Sequence, residues 1–170
     1  IYRVPHLFNK LQQAWAFYVA TNMGFGCRIG SWGFDKYSKR VKAFQNKKLQ
    51  FDETIFRRLS NVQIEHTNAC KVLELYNTDD AFHYIDPPYI NSNQGHYDGY
   101  TLADYTRLLD TLSAVKGKFL LSSYPSEILD EYIKKNGWHS KSFEKPLSAS
   151  KISGKPRKRK VEVLTANYPI

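Results

Sequence analysis

Four consecutive residues, Asp86-Pro87-Pro88-Tyr89, follow directly on an apolar run, Ala81-Phe82-His83-Tyr84-Ile85, and together they carry the sharpest chemical signal in the chain. Two prolines cannot continue a central strand, so on structural grounds alone the segment is a strand end with a packed tyrosine. The chemical reading uses all four residues. An amino group on an aromatic ring is a poor nucleophile, because its lone pair is spread into the ring. Two acceptors that take its two N–H groups favour a more tetrahedral nitrogen and stabilise the positive charge that develops there under attack on an electrophile. The Asp86 carboxylate is one such acceptor. The Pro87 carbonyl, held in direction by Pro88, is the other. Tyr89 offers a flat face on which a base can stack. A base inside a duplex cannot reach such a pocket, so it has to be flipped out.

Other residues suit contact with nucleic acid. Residues 22–40 mix glycines, aromatics and cations. Within them Arg28 can read a guanine edge, and Lys36, Lys39 and Arg40, interleaved with Phe34 and Tyr37, suit phosphates. A solvated basic face is the plain alternative. Lys158 belongs to a second basic run, residues 155–160, and Asn91, Asn93, Tyr97 and Tyr100 follow the proline pair, where they either line the target-base side or shape a loop. The net charge of +9 favours a polyanionic partner. The five histidines and the two cysteines, Cys27 and Cys70, show no metal-ligand spacing, so no metal is expected. Two cysteines are too few for a disulfide framework, which fits a reducing, cytoplasmic setting. No run of 18 apolar residues suggests a membrane span.

The elements that must position these residues follow from periodicity. Leu7, Leu11, Ala14, Trp15, Tyr18 and Val19 predict an amphipathic helix over residues 7–21, and residues 22–40 predict a loop or irregular hairpin. Asp52 caps a helix running to about Leu59. From there the pattern alternates. Val62-Gln63-Ile64-Glu65 predicts a strand, residues 72–75 a short helix, and residues 81–85 a strand ending at Asp86. Thr101 and Asp104 have capping-box spacing and open a helix that turns Leu102, Tyr105, Leu108, Leu109 and Leu112 to a core. Residues 118–122 predict a buried strand. Ser126 opens a helix with Ile128, Leu129, Tyr132 and Ile133 inward, stopped at Gly137. Residues 141–144 and 161–167 form a final strand pair, with a flexible basic stretch between them. Strands alternating with helices mean an α/β domain with a mainly parallel sheet, in which ligands bind beyond the strand ends, where Asp86 lies.

The order of these features resembles the Dam-type (D12 class) family of DNA adenine-N6 methyltransferases, from about Trp15 to Tyr168. Met23-Gly24-Phe25-Gly26-Cys27-Arg28 is similar to the family's sequence-reading loop, which implies a base contact for Arg28. Tyr84-Ile85-Asp86-Pro87-Pro88-Tyr89 resembles its catalytic motif. His66-Thr67-Asn68-Ala69 stands where the family contacts the adenine of the methyl donor. The resemblance therefore implies S-adenosylmethionine held in part by Asn68, Ala69 and Asp86, and double-stranded DNA as partner. Two departures go with it. The family's aromatic-x-Gly-x-Gly turn and the acidic residue that holds the donor ribose are absent from these 170 residues, and Asn68-Ala69 replaces an acidic-aromatic pair. The chain does not begin with Met, so the expectation is a C-terminal portion: a Rossmann-like methyltransferase sheet, partial and with its first strands missing. Residues 1–60 would be a helical and loop target-recognition subdomain and residues 61–170 a catalytic α/β core. Such a piece would bind DNA and transfer methyl groups poorly. The alternatives are a catalytically incomplete DNA-binding module and another amino-group methyltransferase, such as those that carry Asn-Pro-Pro-Tyr and modify glutamine.

Overall fold

The structure is a computed structural model that describes residues 4–24, 36–90, 99–146 and 159–170. Arg28, Asn91, Asn93, Tyr97 and Lys158 lie outside the described residues. The chain divides into two compact units, Ile1–Ile64 and Glu65–Ile170.

The first unit is helical. A 3-10 turn, Pro5–Leu7, leads into α1 (Lys10–Met23). Asn9 and Gln12 form a reciprocal capping box at its start, and the Gln13 amide donates to the Phe8 and Pro5 carbonyls at 2.7 and 3.0 Å, tying the turn to the helix. α2 (Lys39–Leu49) lies where the sequence gives no helical face. Lys39 and Arg40 therefore start a helix instead of ending a loop. Five of its eleven residues are long straight-chain cations with good helix propensity, and Phe44 anchors it among Trp15 and Tyr18, 5.7–6.1 Å between ring centroids. α3 (Glu53–Leu59) is capped as predicted, the Asp52 carboxylate accepting from the Thr54 and Ile55 amides at 2.9 and 3.4 Å. None of the described residues up to Ile64 is fully buried; Leu11, Trp15, Phe17 and Phe51 stand exposed.

The second unit is built on a four-stranded sheet in the order β1-β2-β4-β3, from β1 (Phe82–Ile85), β2 (Lys118–Ser123), β3 (His139–Pro146) and β4 (Arg159–Ala166). α4 (Ala69–Leu75) precedes β1, α5 (Leu102–Ser113) joins β1 to β2, and α6 (Glu127–Asn136) joins β2 to β3. α5 begins with the expected Thr101–Asp104 capping box. α6 starts at Ser126, whose hydroxyl accepts from the Leu129 amide, and stops at Gly137, which takes the left-handed conformation (φ 65°) that an L side chain resists. Tyr105, Leu108, Leu109 and Leu112 of α5 and Leu129 of α6 share one core with Phe119 and Leu121 of β2 and with Trp138. Leu102 does not join it: it is the first residue of α5 and is exposed.

Three expectations are corrected. The sheet is not mainly parallel among the described residues: β1–β2 is parallel, but β2–β4 and β3–β4 are antiparallel, because β4 pairs back on β3 and enters between it and β2. Val62-Gln63-Ile64-Glu65 forms no strand. The Val62 amide is taken by the Leu59 carbonyl as α3 ends, and the segment runs exposed outside the sheet. The basic stretch before Val161 is in part sheet, since β4 already begins at Arg159.

Gly117 fixes the spacing of β1 and β2 at the end away from Asp86. A Cβ there would overlap the carbonyl oxygens of Thr78 and Ala81, and the next amide, Lys118, donates to Ala81 at 2.8 Å. The Asn167 side chain completes this end by accepting from the Phe119 amide at 3.0 Å and donating to the Gly117 carbonyl at 2.9 Å.

Candidate active site

Local facts place Asp86. Ile85, the last residue of β1, turns into the core at 8% exposed. Pro87 and Pro88, which lack N–H groups, end the ladder immediately after it. The parallel register, Ile85 against Leu121, sets the start of the proline segment beside the end of β2. Asp86 is thereby exposed at a strand end, with Pro87, Pro88 and Tyr89 half-buried behind it.

The Tyr89 hydroxyl lies 2.9 Å from Asp86 Oδ1 and 2.8 Å from Ser122 Oγ. Burial pushes the Tyr89 phenol up to about 12. The Ser122 hydrogen bond opposes that shift, and the hydrogen bond and charge of Asp86 add to it. The phenol is therefore protonated throughout the neutral range. The Tyr89 ring meets the Tyr124 ring edge-on, centroids 4.5 Å apart. Lys160, on β4, sets its ammonium 4.6 Å above the Tyr124 ring centroid and donates to its hydroxyl at 3.0 Å. Opposite Lys160 on β3, Lys145 pairs with Glu162. That partner holds the Lys145 ammonium above its ordinary range, with smaller contributions from Tyr84 and Asp86.

Of the residues singled out in the sequence, Asp86 and Tyr89 are thus joined by a side-chain hydrogen bond across the proline pair. Asn68 and Ala69 belong to the same unit, where Asn68 caps α4, its side chain accepting from the Cys70 amide at 3.0 Å; both are exposed. Tyr100 is packed against the core. Lys36, Lys39 and Arg40 belong to the first unit, the first two with ammonium groups 5.5 and 5.8 Å from the Tyr37 ring centroid. Ser122, Tyr124, Lys145 and Glu162 were not singled out, and Lys160 only as the last residue of the 155–160 basic run. The signal that could have found the first two is positional: Ser122 lies near the end of β2, the strand next to β1, Tyr124 directly follows it, and ligands gather beyond strand ends.

The charge is divided unevenly. Residues 1–64 hold eleven Lys and Arg against three Asp and Glu, a net +8, while residues 65–170 hold fourteen against thirteen, a net +1. Among the described residues no helix is long and apolar enough to cross a membrane, and no three His, Cys, Asp or Glu gather as a metal site would require.

No curated protein matches the chain. A family model does: it is described as D12 class N6 adenine-specific DNA methyltransferase and it matches residues 29–145, more than half of the chain, with residues 86–89 inside.

Proposed function

The chain belongs to the family of D12 class N6 adenine-specific DNA methyltransferases, and from that premise we propose that residues 86–89 receive a flipped-out adenine and activate its N6 amino group. The observation that carries this reading is the Asp86 carboxylate, exposed at the end of β1 with a hydrogen-bonded tyrosine beside it, inside the matched region. Asp86 accepts one N6–H and the Pro87 carbonyl the other. Both interactions strengthen as the nitrogen gains positive charge, so they favour the transition state over the bound base. The Tyr89 ring supplies the stacking face.

S-adenosylmethionine is the methyl donor this reading assigns. Asn68, Ala69 and Asp86 are the chain's candidates to touch it. As they stand they do not fit it: Asn68 is engaged as a helix cap, and Asn68 and Ala69 are exposed, so they offer one edge and no enclosure. Double-stranded DNA is the proposed substrate. Residues 1–60 form its target-recognition part and residues 61–170 the catalytic part, a Rossmann-like sheet. Arg28 takes a base contact, and Lys36, Lys39, Arg40, Asn91 and Lys158 contact the phosphate backbone or the flanking nucleotides.

The test is transfer of labelled methyl groups from S-adenosylmethionine to adenine-containing duplex by the full-length protein. Asp86→Ala is expected to lower turnover more than tenfold, at least about 1.4 kcal/mol of barrier, while DNA affinity stays within a few-fold. Retention of more than a tenth of wild-type turnover would remove Asp86 from the chemistry.

A further inference from the structure

We propose that Ser122 is a positioning residue for this reaction. Its hydroxyl donates to the Tyr89 hydroxyl, which donates in turn to the Asp86 carboxylate, so that β2 sets both the tilt of the Tyr89 ring and the orientation of the carboxylate. The role in the reaction rests on the methyltransferase reading; the chain of hydrogen bonds does not.

Its direction follows from donor and acceptor capacity. An ionised carboxylate only accepts. The Tyr89 hydroxyl, 2.9 Å from Asp86 Oδ1, has one proton and gives it there. The contact with Ser122 Oγ at 2.8 Å then needs the serine proton, which makes Ser122 the donor. The two ends differ in freedom. Ser122 is 5% exposed and lies in the β2–β4 ladder opposite Leu164, so its Oγ is a fixed point. Asp86 is exposed, and on its own an exposed aspartate samples several rotamers. The phenol transmits the fixed position to the free group. It occupies Oδ1 and leaves Oδ2 for an incoming N–H. The Tyr124 edge contact holds the same ring from the side, so its tilt is determined at two places. Fixing acceptors before charge develops is what makes them effective in a transition state.

Three readouts test the proposal, each with Ser123→Ala as control, since Ser123 is equally buried but its hydroxyl is not bonded to Tyr89. First, in a chain labelled with carbon-13 at the tyrosine Cζ, the Tyr89 resonance is identified by its loss in Tyr89→Phe. It is expected to shift in Ser122→Ala and in Asp86→Ala and to stay in Ser123→Ala. An unmoved resonance in Ser122→Ala overturns the hydrogen-bond chain. Second, 2-aminopurine at the target position fluoresces when flipped, and Ser122→Ala is expected to lose part of that rise. Third, in single-turnover methylation by the full-length protein, Ser122→Ala is expected to lower the rate roughly fivefold, the scale of one lost hydrogen bond, with the KM for duplex nearly unchanged and with recovery in Ser122→Thr. A shifted resonance with wild-type flipping and wild-type rate overturns the positioning role. Absence of methyl transfer from the wild type counts against the methyltransferase reading instead, and the first two readouts still decide the role of Ser122.

Discussion

Tyr89 is asked to serve two partners. Its hydroxyl meets Asp86 and Ser122 and its ring meets the Tyr124 ring in a T-shaped contact, and on the proposed reading the same ring also carries the stacked base. Removing the ring removes the stacking face and frees the carboxylate at once. Tyr89→Ala is therefore expected to abolish most of the 2-aminopurine fluorescence rise on duplex binding, a loss of about 1–3 kcal/mol of base capture. An undiminished rise would show that another surface holds the base. The contrast between Asp86 and Ser122 explains what the sequence makes legible at this scale. Asp86-Pro87-Pro88-Tyr89 is a contiguous arrangement whose residue types state their chemistry. Ser122 is one buried serine in an apolar strand, and its partner is 33 residues away. No local pattern distinguishes it from Ser123, and only the pairing of β1 with β2 does. Asn68 shows the opposite limit: a residue in a suggestive place whose local bond is that of a helix cap.

Elements were legible where a cap or a buried face marked them. Asp52, Thr101 and Ser126 announce α3, α5 and α6, because each satisfies amides that a helix start leaves open. α2 has neither mark: no side-chain cap bond opens it, and its residues are mostly polar, so its helicity depends on how Phe44 packs. Residues 62–65 illustrate the reverse error. Alternation describes where side chains point, but a strand also needs a neighbour to receive its backbone bonds, and pairing is not encoded in the segment itself. The direction of β4 was hidden for the same reason. Gly117 offers a test at this scale. It sits where β2 starts against the turn before β1, so Gly117→Ala has to push the two strands apart. A fall in stability of about 1–3 kcal/mol, read from the urea midpoint, is expected from such overpacking. The displaced strand would carry Ser122 away from Tyr89, so base capture should fall with stability. An unchanged midpoint would mean that the contact relaxes freely.

Across the whole molecule, the proposed function gives grip and chemistry to different units. The first unit carries nearly all of the net charge, and its described cations include Lys36 and Lys39 at the entry to α2. Lys39→Ala is expected to weaken binding to all duplexes alike and to reduce the dependence of log K on log salt by about one unit, whereas Arg28→Ala should relax preference at a single base position by about 1–3 kcal/mol. Equal losses on cognate and random duplex for Arg28→Ala would reduce it to a phosphate contact. The second unit is almost neutral overall. On the proposed reading the two groups that take the target amino group, the Asp86 carboxylate and the Pro87 carbonyl, are both acceptors, so a keto oxygen placed between them would meet repulsion. Thymine at O4 and guanine at O6 would then be disfavoured there. Cytosine, which also carries an amino group, would not, and its rejection would have to come from the shape of the rest of the pocket.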